Sequence, residues 1–201
     1  MTLSRRATLL PALIFLAQSV PALCQNDVAG TVKQMEQLEV LQSRMAQGDR
    51  TAVDAQTILL ASMGATLLKA SSAEWKDGRF AEAGVKYLLA GGSPRVVEQL
   101  VRKHGFLKDD GLLMGALAYV SGREPEARDR LESTRPSTLP RSLGAQTAFM
   151  MSVLTGGSNP GAALDLLDLA RTLAPGGLLE EAALRREIVL LTKSGRSESV
   201  V

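Results

Sequence analysis

The sequence predicts an all-α protein, arranged as a tetratricopeptide-like helical-repeat solenoid of antiparallel helix pairs. Apolar residues recur at steps of three and four, which places them on one face of a helix. Ala, Leu, Glu, Lys, Arg and Gln dominate, while alternating runs of β-branched and aromatic residues are missing. A turn pattern that returns three times predicts the pairing of the helices.

The N-terminal segment has the features of an export signal. Arg5 and Arg6 precede an apolar stretch over 7–17, and small residues follow at Ala22 and Cys24. We therefore predict a cleavable signal peptide over residues 1–24, cut after Ala22 or after Cys24. The helical-repeat domain is predicted over residues 25–196 and a disordered tail over 197–201.

Two other roles for this segment were weighed. An uncleaved membrane anchor is disfavoured because Pro11, Gln18 and Pro21 interrupt a stretch already shorter than the ~20 apolar residues of a spanning helix. A lipid anchor on Cys24 is disfavoured because Leu23, rather than a small residue, precedes the cysteine. Cleavage implies a periplasmic protein without membrane insertion.

The charge of the predicted mature chain is balanced. Leaving Arg5 and Arg6 out of the 23 basic residues gives 21, which equals the 21 acidic residues. A neutral chain gains little free energy from counterion release, so nucleic acid is not an expected partner. The only cysteine is Cys24, so no internal disulfide can form and packing must supply the stability.

The first two predicted helices show the helical period most clearly. The face of the first is predicted to carry Val28, Val32, Met35, Leu38, Leu41 and Met45, and that of the second Ala52, Gln56, Leu59, Met63 and Leu67.

Three later turns share one frame: a glycine, a proline three residues on, an alanine or valine two further and a leucine after four more. The prolines are Pro94, Pro125 and Pro160, spaced by 31 and 35 residues, close to the ~34-residue tetratricopeptide period. Glycine is suited to ending one helix and proline to beginning the next. The frame predicts that Ala127 and Ala162 occupy equivalent, closely packed positions.

The search for chemistry yields no catalytic, cofactor-binding or metal-binding residue. His104 is the only histidine and lies among Arg102, Lys103 and Lys108, which is typical of a solvated helix end rather than a general base. One histidine and no mature cysteine leave too few ligands for an all-protein zinc site. No phosphate-binding or dinucleotide-binding glycine motif is present, and we predict no cofactor, no small-molecule substrate and no enzyme activity.

The remaining polar and aromatic candidates have structural interpretations. Residues 156–160 superficially resemble a serine-hydrolase elbow, but no strand precedes them and the repeat frame predicts an interhelical turn. Glu181 and Arg185 are four residues apart, which favours a surface ion pair over acid–base chemistry. Tyr87 and Tyr119 precede repeat turns, which favours a role in the core.

An ordered set of segments resembles the periplasmic flagellar motility protein MotC family. The set comprises Trp75 to Gly92, Gly115 to Glu124, Leu139 to Gln146, Leu173 to Gly176 and Glu180 to Ile188. The resemblance covers about residues 35–190 and the N-terminal half of a longer family. It implies a non-enzymatic periplasmic component of the flagellar motor that binds the periplasmic part of the stator protein MotB and supports motor rotation. It supplies no catalytic or ligand residues.

Two other functions remain open on the sequence alone. A helical-repeat chain without catalytic groups also suits a general periplasmic adaptor for envelope protein assembly. A lytic hydrolase is the alternative from another class, and it lacks an acid–base constellation.

The end of the chain gives one more expectation. Solenoids close with a polar capping helix, and only a short segment follows Gly195 where a new turn would begin. The helix near 178–191 is therefore predicted to leave Leu184, Ile188 and Leu191 without an internal partner. A truncated product, or a stack completed by another chain, would give the same pattern.

Overall fold

The computed structural model describes residues 28–76 and 78–193. These residues form ten α-helices and no β-strand, which confirms the all-α prediction. The helices are α1 (Val28–Ala46), α2 (Thr51–Lys69), α3 (Ser72–Lys76), α4 (Gly78–Leu89), α5 (Pro94–Lys103), α6 (Gly111–Val120), α7 (Glu124–Leu131), α8 (Arg141–Thr155), α9 (Pro160–Leu173) and α10 (Leu178–Lys193). Two 3₁₀ turns lie at Gly105–Asp109 and Pro136–Thr138. The predicted signal peptide and tail lie outside the described residues.

The helical faces predicted for α1 and α2 are the faces that pack together. Met35, Leu38, Leu59 and Met63 are buried in one core with side chains from the helices that follow. The turn between the two helices is stabilised by Asp49, whose carboxylate accepts hydrogen bonds from the Thr51 backbone N–H at 2.9 Å and from Arg44. Hydrogen bonds from Thr51 and Arg44 lower the pKa of Asp49 to about 2.

Length and composition alone would allow α2 to cross a membrane. Core helices of water-soluble proteins pass the same test, and α2 packs against α1, α4 and α5. Its outer face carries the exposed side chains of Val53 and Ile58.

The three predicted turns lie between helices, as the glycine and proline spacing indicates. Gly91 and Gly122 have φ angles of 96° and 72°, a left-handed conformation that glycine adopts without steric cost. The third turn uses a different device, because the Asn159 side chain accepts a hydrogen bond from the Ala162 N–H at 3.1 Å and caps α9.

The packing register follows the first residue of each helix rather than the proline. Val97, Ala127 and Ala163 are each the fourth residue of their helix and each is completely buried. The predicted equivalence of Ala127 with Ala162 is therefore wrong, because Ala162 is only half-buried. The cause is that Pro125 is the second residue of α7, whereas Pro94 and Pro160 begin α5 and α9.

This register predicts the effect of enlarging the buried alanines. Ala127→Leu and Ala163→Leu are each expected to overpack their helix and to lower the free energy of unfolding by ~1–3 kcal/mol. Ala162→Leu is the matched control and is expected to have a smaller effect. Thermal unfolding followed by circular dichroism measures all three, and a larger loss for Ala162→Leu than for Ala163→Leu would contradict the register.

Consecutive helices pack as pairs, most extensively α8 with α9, α6 with α7, α1 with α2 and α9 with α10. The central helix α4 contacts α1, α2, α6 and α8. In addition, α10 contacts both α8 and α1, so the first and last helices of the described chain meet. These contacts place α1, α8 and α10 around a common space.

The last helix leaves part of its apolar surface uncovered. Leu184 and Ile188 are 40% and 48% exposed, as predicted, whereas Leu191 is half-buried. The opposite face of α10 buries Ala183 and Leu190 against Ala163 and Leu167 of α9. The helix is thus anchored along one side and open along the other.

Candidate functional site

A cavity of about 530 Å³ lies in the space enclosed by α1, α8 and α10. Its wall combines apolar side chains with uncharged polar ones. The apolar part includes Met45, Leu89, Phe149, Leu178 and Leu179, and the polar part includes Gln42, Ser43, Gln56, Ser142 and Gln146. Of the described residues that line this wall, Glu39 is the one carboxylate.

Two amide oxygens in the wall have no hydrogen-bond partner among residues 28–76 and 78–193. Gln56 donates from Nε2 to the Ala90 carbonyl at 3.1 Å, and its Oε1 atom is buried without a donor. Gln146 Oε1 is also buried without a donor. Buried polar atoms are nearly always hydrogen-bonded in folded proteins, so a rotation of either side chain toward the cavity would let a bound donor satisfy its oxygen.

The carboxylate of Glu39 is fixed by groups from two other helices. Lys86 of α4 is buried, with its Nζ atom 2.7 Å from Glu39 Oε1 and 3.2 Å from Glu82 Oε1. Burial alone would raise the pKa of Glu39, but hydrogen bonds from Lys86 and Ser142 and the charge of Lys86 outweigh it and lower the pKa. Glu39 therefore stays ionised and holds α1, α4 and α8 together beside the cavity.

A second, shallower groove of about 520 Å³ continues from the cavity along α10. The two spaces share Tyr119, Phe149, Leu178 and Ala182 as lining residues. Tyr119 was predicted to be a core residue, but it is half-buried and lines both spaces, whereas Tyr87 is buried as predicted.

Arg186 is the notable charge in this groove. Its Nε atom is buried without a hydrogen-bond partner, and among the described residues its guanidinium forms no ion pair. The neighbouring Arg185 pairs with Glu181, as the sequence predicts. Burial raises the pKa of Tyr119, with the charge of Arg186 acting to lower it and that of Glu124 to raise it, so both charges lie near the phenol.

The sequence did not predict the cleft that the cavity and the groove form together. Its lining residues come from α1, α2, α4, α6, α8 and α10 and the loop before α10, and most are uncharged. The only local signal was Tyr119, an aromatic residue at a helix end. Among residues 28–76 and 78–193, no three His, Cys, Asp or Glu side chains are grouped to hold a metal ion.

His104, the one candidate base from the sequence, was predicted to be solvated, and this prediction is wrong because the side chain is buried. It is 3% exposed, its ring centroid lies 6.2 Å from that of Trp75 and 6.0 Å from that of Phe106, and its Nδ1 atom is 2.9 Å from Ser72 Oγ. Its sequence neighbour Lys103 donates to the Leu68 carbonyl at 2.9 Å. His104 lines neither the cavity nor the groove.

The burial of His104 predicts a pH-dependent stability. Burial lowers the pKa of His104, the charge of Lys103 lowers it further, and the Ala70 backbone acts in the opposite direction. Because the unfolded chain then binds a proton more readily than the folded one, stability is complete above the ordinary histidine pKa near 6.5 and decreases as the pH falls below it. Urea unfolding between pH 7.5 and 5.5 measures this change.

The control is His104→Gln, which removes the only histidine in the sequence. The variant is expected to be less stable at pH 7.5 and to lose the pH dependence in this window. An unchanged pH dependence in the variant would show that another group causes it.

Comparison with known proteins decides the family. The model of the family described as "Chemotaxis protein MotC" matches residues 1–201. The chain belongs to the MotC family. A relative, chemotaxis protein MotC of Rhizobium meliloti (strain 1021), is 27% identical over 167 residues, which are 83% of this chain and 38% of that protein.

The MotC match confirms the resemblance predicted from the sequence. The chain spans less than half the length of the MotC relative. No solved structure matches the chain at a significant level. The matched family and this relative both carry the description chemotaxis protein MotC, and the cleft is the candidate binding site of this chain.

Proposed function

We propose that this MotC family member is a non-enzymatic periplasmic component of the flagellar motor that binds the stator protein MotB and supports motor rotation. The observation that carries the proposal is the family match along the whole chain. The predicted signal peptide supports a periplasmic location, and the apolar cleft supports a protein partner.

The architecture belongs to the same proposal. We infer that the helix pairs form a tetratricopeptide-like solenoid, with the equivalent positions of Val97, Ala127 and Ala163 as its repeating contacts. Stacked helix pairs form extended concave surfaces that bind other proteins. In this chain α10 also contacts α1, beside the cavity.

Co-purification with the periplasmic part of MotB tests the partner. Tagged MotB is expected to retain this chain through washing at physiological salt, and an unrelated periplasmic domain with the same tag is the control. A clean deletion of the gene is expected to leave filaments assembled while swimming is reduced or lost. Normal swimming together with no retention by MotB would overturn the proposal and favour a general envelope adaptor.

A further inference from the structure

We propose that the cleft between α1, α8 and α10 binds a short peptide segment of a partner protein. Apolar side chains of the segment occupy the cavity, and an aspartate or glutamate side chain pairs with Arg186. The inference rests on the proposed role as a protein-binding component and adds the site and the chemistry of the bound segment.

The shape of the cleft suits a chain rather than a compact molecule. The cavity and the groove measure about 530 and 520 Å³, within the ~300–1,000 Å³ range of ligand sites, and they adjoin at Tyr119, Phe149, Leu178 and Ala182. The two aromatic rings stand at the junction, where they offer apolar contact area with little loss of side-chain entropy. An elongated ligand with several apolar side chains fits such a joined space.

Two side-chain oxygens in the cavity wall are hydrogen-bond acceptors without a donor in the described part of the chain. Gln56 Oε1 and Gln146 Oε1 are acceptors buried without a donor. Every residue of a bound peptide except proline brings a backbone N–H that must itself be satisfied. When these two side chains rotate to face the cavity, a peptide backbone between α2 and α8 satisfies both the oxygens and its own N–H groups, whereas a purely apolar ligand leaves the two oxygens unpaired.

The charge of the cleft selects an acidic segment. Glu39 is neutralised by Lys86 and Glu181 by Arg185, whereas Arg186 has no ion-pair partner among the described residues. The charge of Glu124 also acts on Tyr119, but no ion pair joins Glu124 to Arg186 in the described part of the chain. A half-buried guanidinium binds carboxylates through two parallel hydrogen bonds, so the free charge favours an aspartate or glutamate in the occupant.

The test uses a phage-displayed library of random 12-residue peptides, fused at their C-termini so that only side-chain carboxylates are available. Selection on the purified chain is expected to enrich peptides with one acidic residue beside two or more apolar residues. The leading peptide, synthesised with both ends blocked, is then measured by fluorescence polarisation. Replacing its acidic residue with the amide is expected to weaken binding at least tenfold.

Two variants of the protein locate the site. Arg186→Gln is expected to weaken binding at least tenfold and to abolish the difference between the acidic peptide and its amide. Ala182→Phe fills the shared part of the cleft without removing a buried contact and is expected to weaken binding similarly. Arg95→Gln, which makes the same charge change on α5 away from the cleft, is the matched control and is expected to stay within twofold of wild type.

Circular dichroism of each variant checks the fold, and Ala182→Phe carries the test if Arg186→Gln unfolds. Enriched peptides without an acidic residue, binding unaffected by both cleft variants, or no enrichment would each overturn the inference. If MotB co-purifies while one of these results is found, the proposed function stands and the site is wrong. If the peptides behave as expected and MotB does not co-purify, the site stands and the named partner is wrong.

Discussion

Replacing Phe80 with alanine is expected to lower the free energy of unfolding by ~3–5 kcal/mol. Phe80 is completely buried on α4, and its ring centroid lies 5.7 Å from that of Trp75. The substitution removes the apolar contacts of the ring and leaves a cavity in the largest core cluster. For a chain of this size the melting temperature is expected to fall by roughly 6–20 °C.

Phe106→Ala is the matched control, because Phe106 is 38% exposed on the 3₁₀ turn Gly105–Asp109. Its effect is expected to be about 1 kcal/mol or less. Differential scanning calorimetry of both variants measures the contrast. Equal shifts would contradict the placement of Phe80 in the core.

Replacing Lys86 with methionine is expected to lower the free energy of unfolding by about 2–3 kcal/mol. Breaking a fully buried pair costs ~3–5 kcal/mol, and the expected loss is smaller here because the Glu39 side chain is 43% exposed and can be rehydrated. The variant leaves the carboxylates of Glu39 and Glu82 close together without a cation, so the pKa of Glu39 is expected to rise. Denaturant unfolding and a carboxyl-resolved NMR titration measure the two effects.

Lys33→Met is the control for Lys86→Met, since Lys33 is exposed on α1. It is expected to change stability by no more than ~0.5 kcal/mol. The double variant Lys86→Met with Glu39→Gln is expected to recover part of the loss, because it removes the unpaired charge. An additive, larger loss in the double variant would show that Glu39 stabilises the fold independently of Lys86.

The sequence predicted the helices well because their signals are local. Turn residues such as Gly91 and Gly122 end helices through their own backbone conformation, and the prolines begin helices by their fixed φ angle. The register was misread by one residue, because it depends on whether the proline is the first or the second residue of its helix. Spacing between prolines does not contain that information.

The errors at His104 and Tyr119 have a different origin. His104 lies in a basic segment, yet its surroundings are set by Ser72 and Trp75, which precede it by about thirty residues in sequence. Tyr119 precedes a turn like Tyr87, but its environment is set by α8 and α10. Tertiary contacts decide burial at both positions, and a pattern read along one chain does not report them.

The meeting of α1 and α10 has a consequence for the order of folding. In a repeat array whose units contact only their neighbours, folding can begin anywhere and spread. Here one wall of the cleft comes from Glu39 and Gln42 near the beginning of the chain and another from Leu179 and Ala182 near its end. Bringing such distant segments together carries a loop-closure entropy that local helix pairing does not, so it belongs to the slowest contacts of the fold. A partially folded chain can therefore contain every helix pair and still lack the complete cleft. Binding of the proposed peptide then requires that folding is complete.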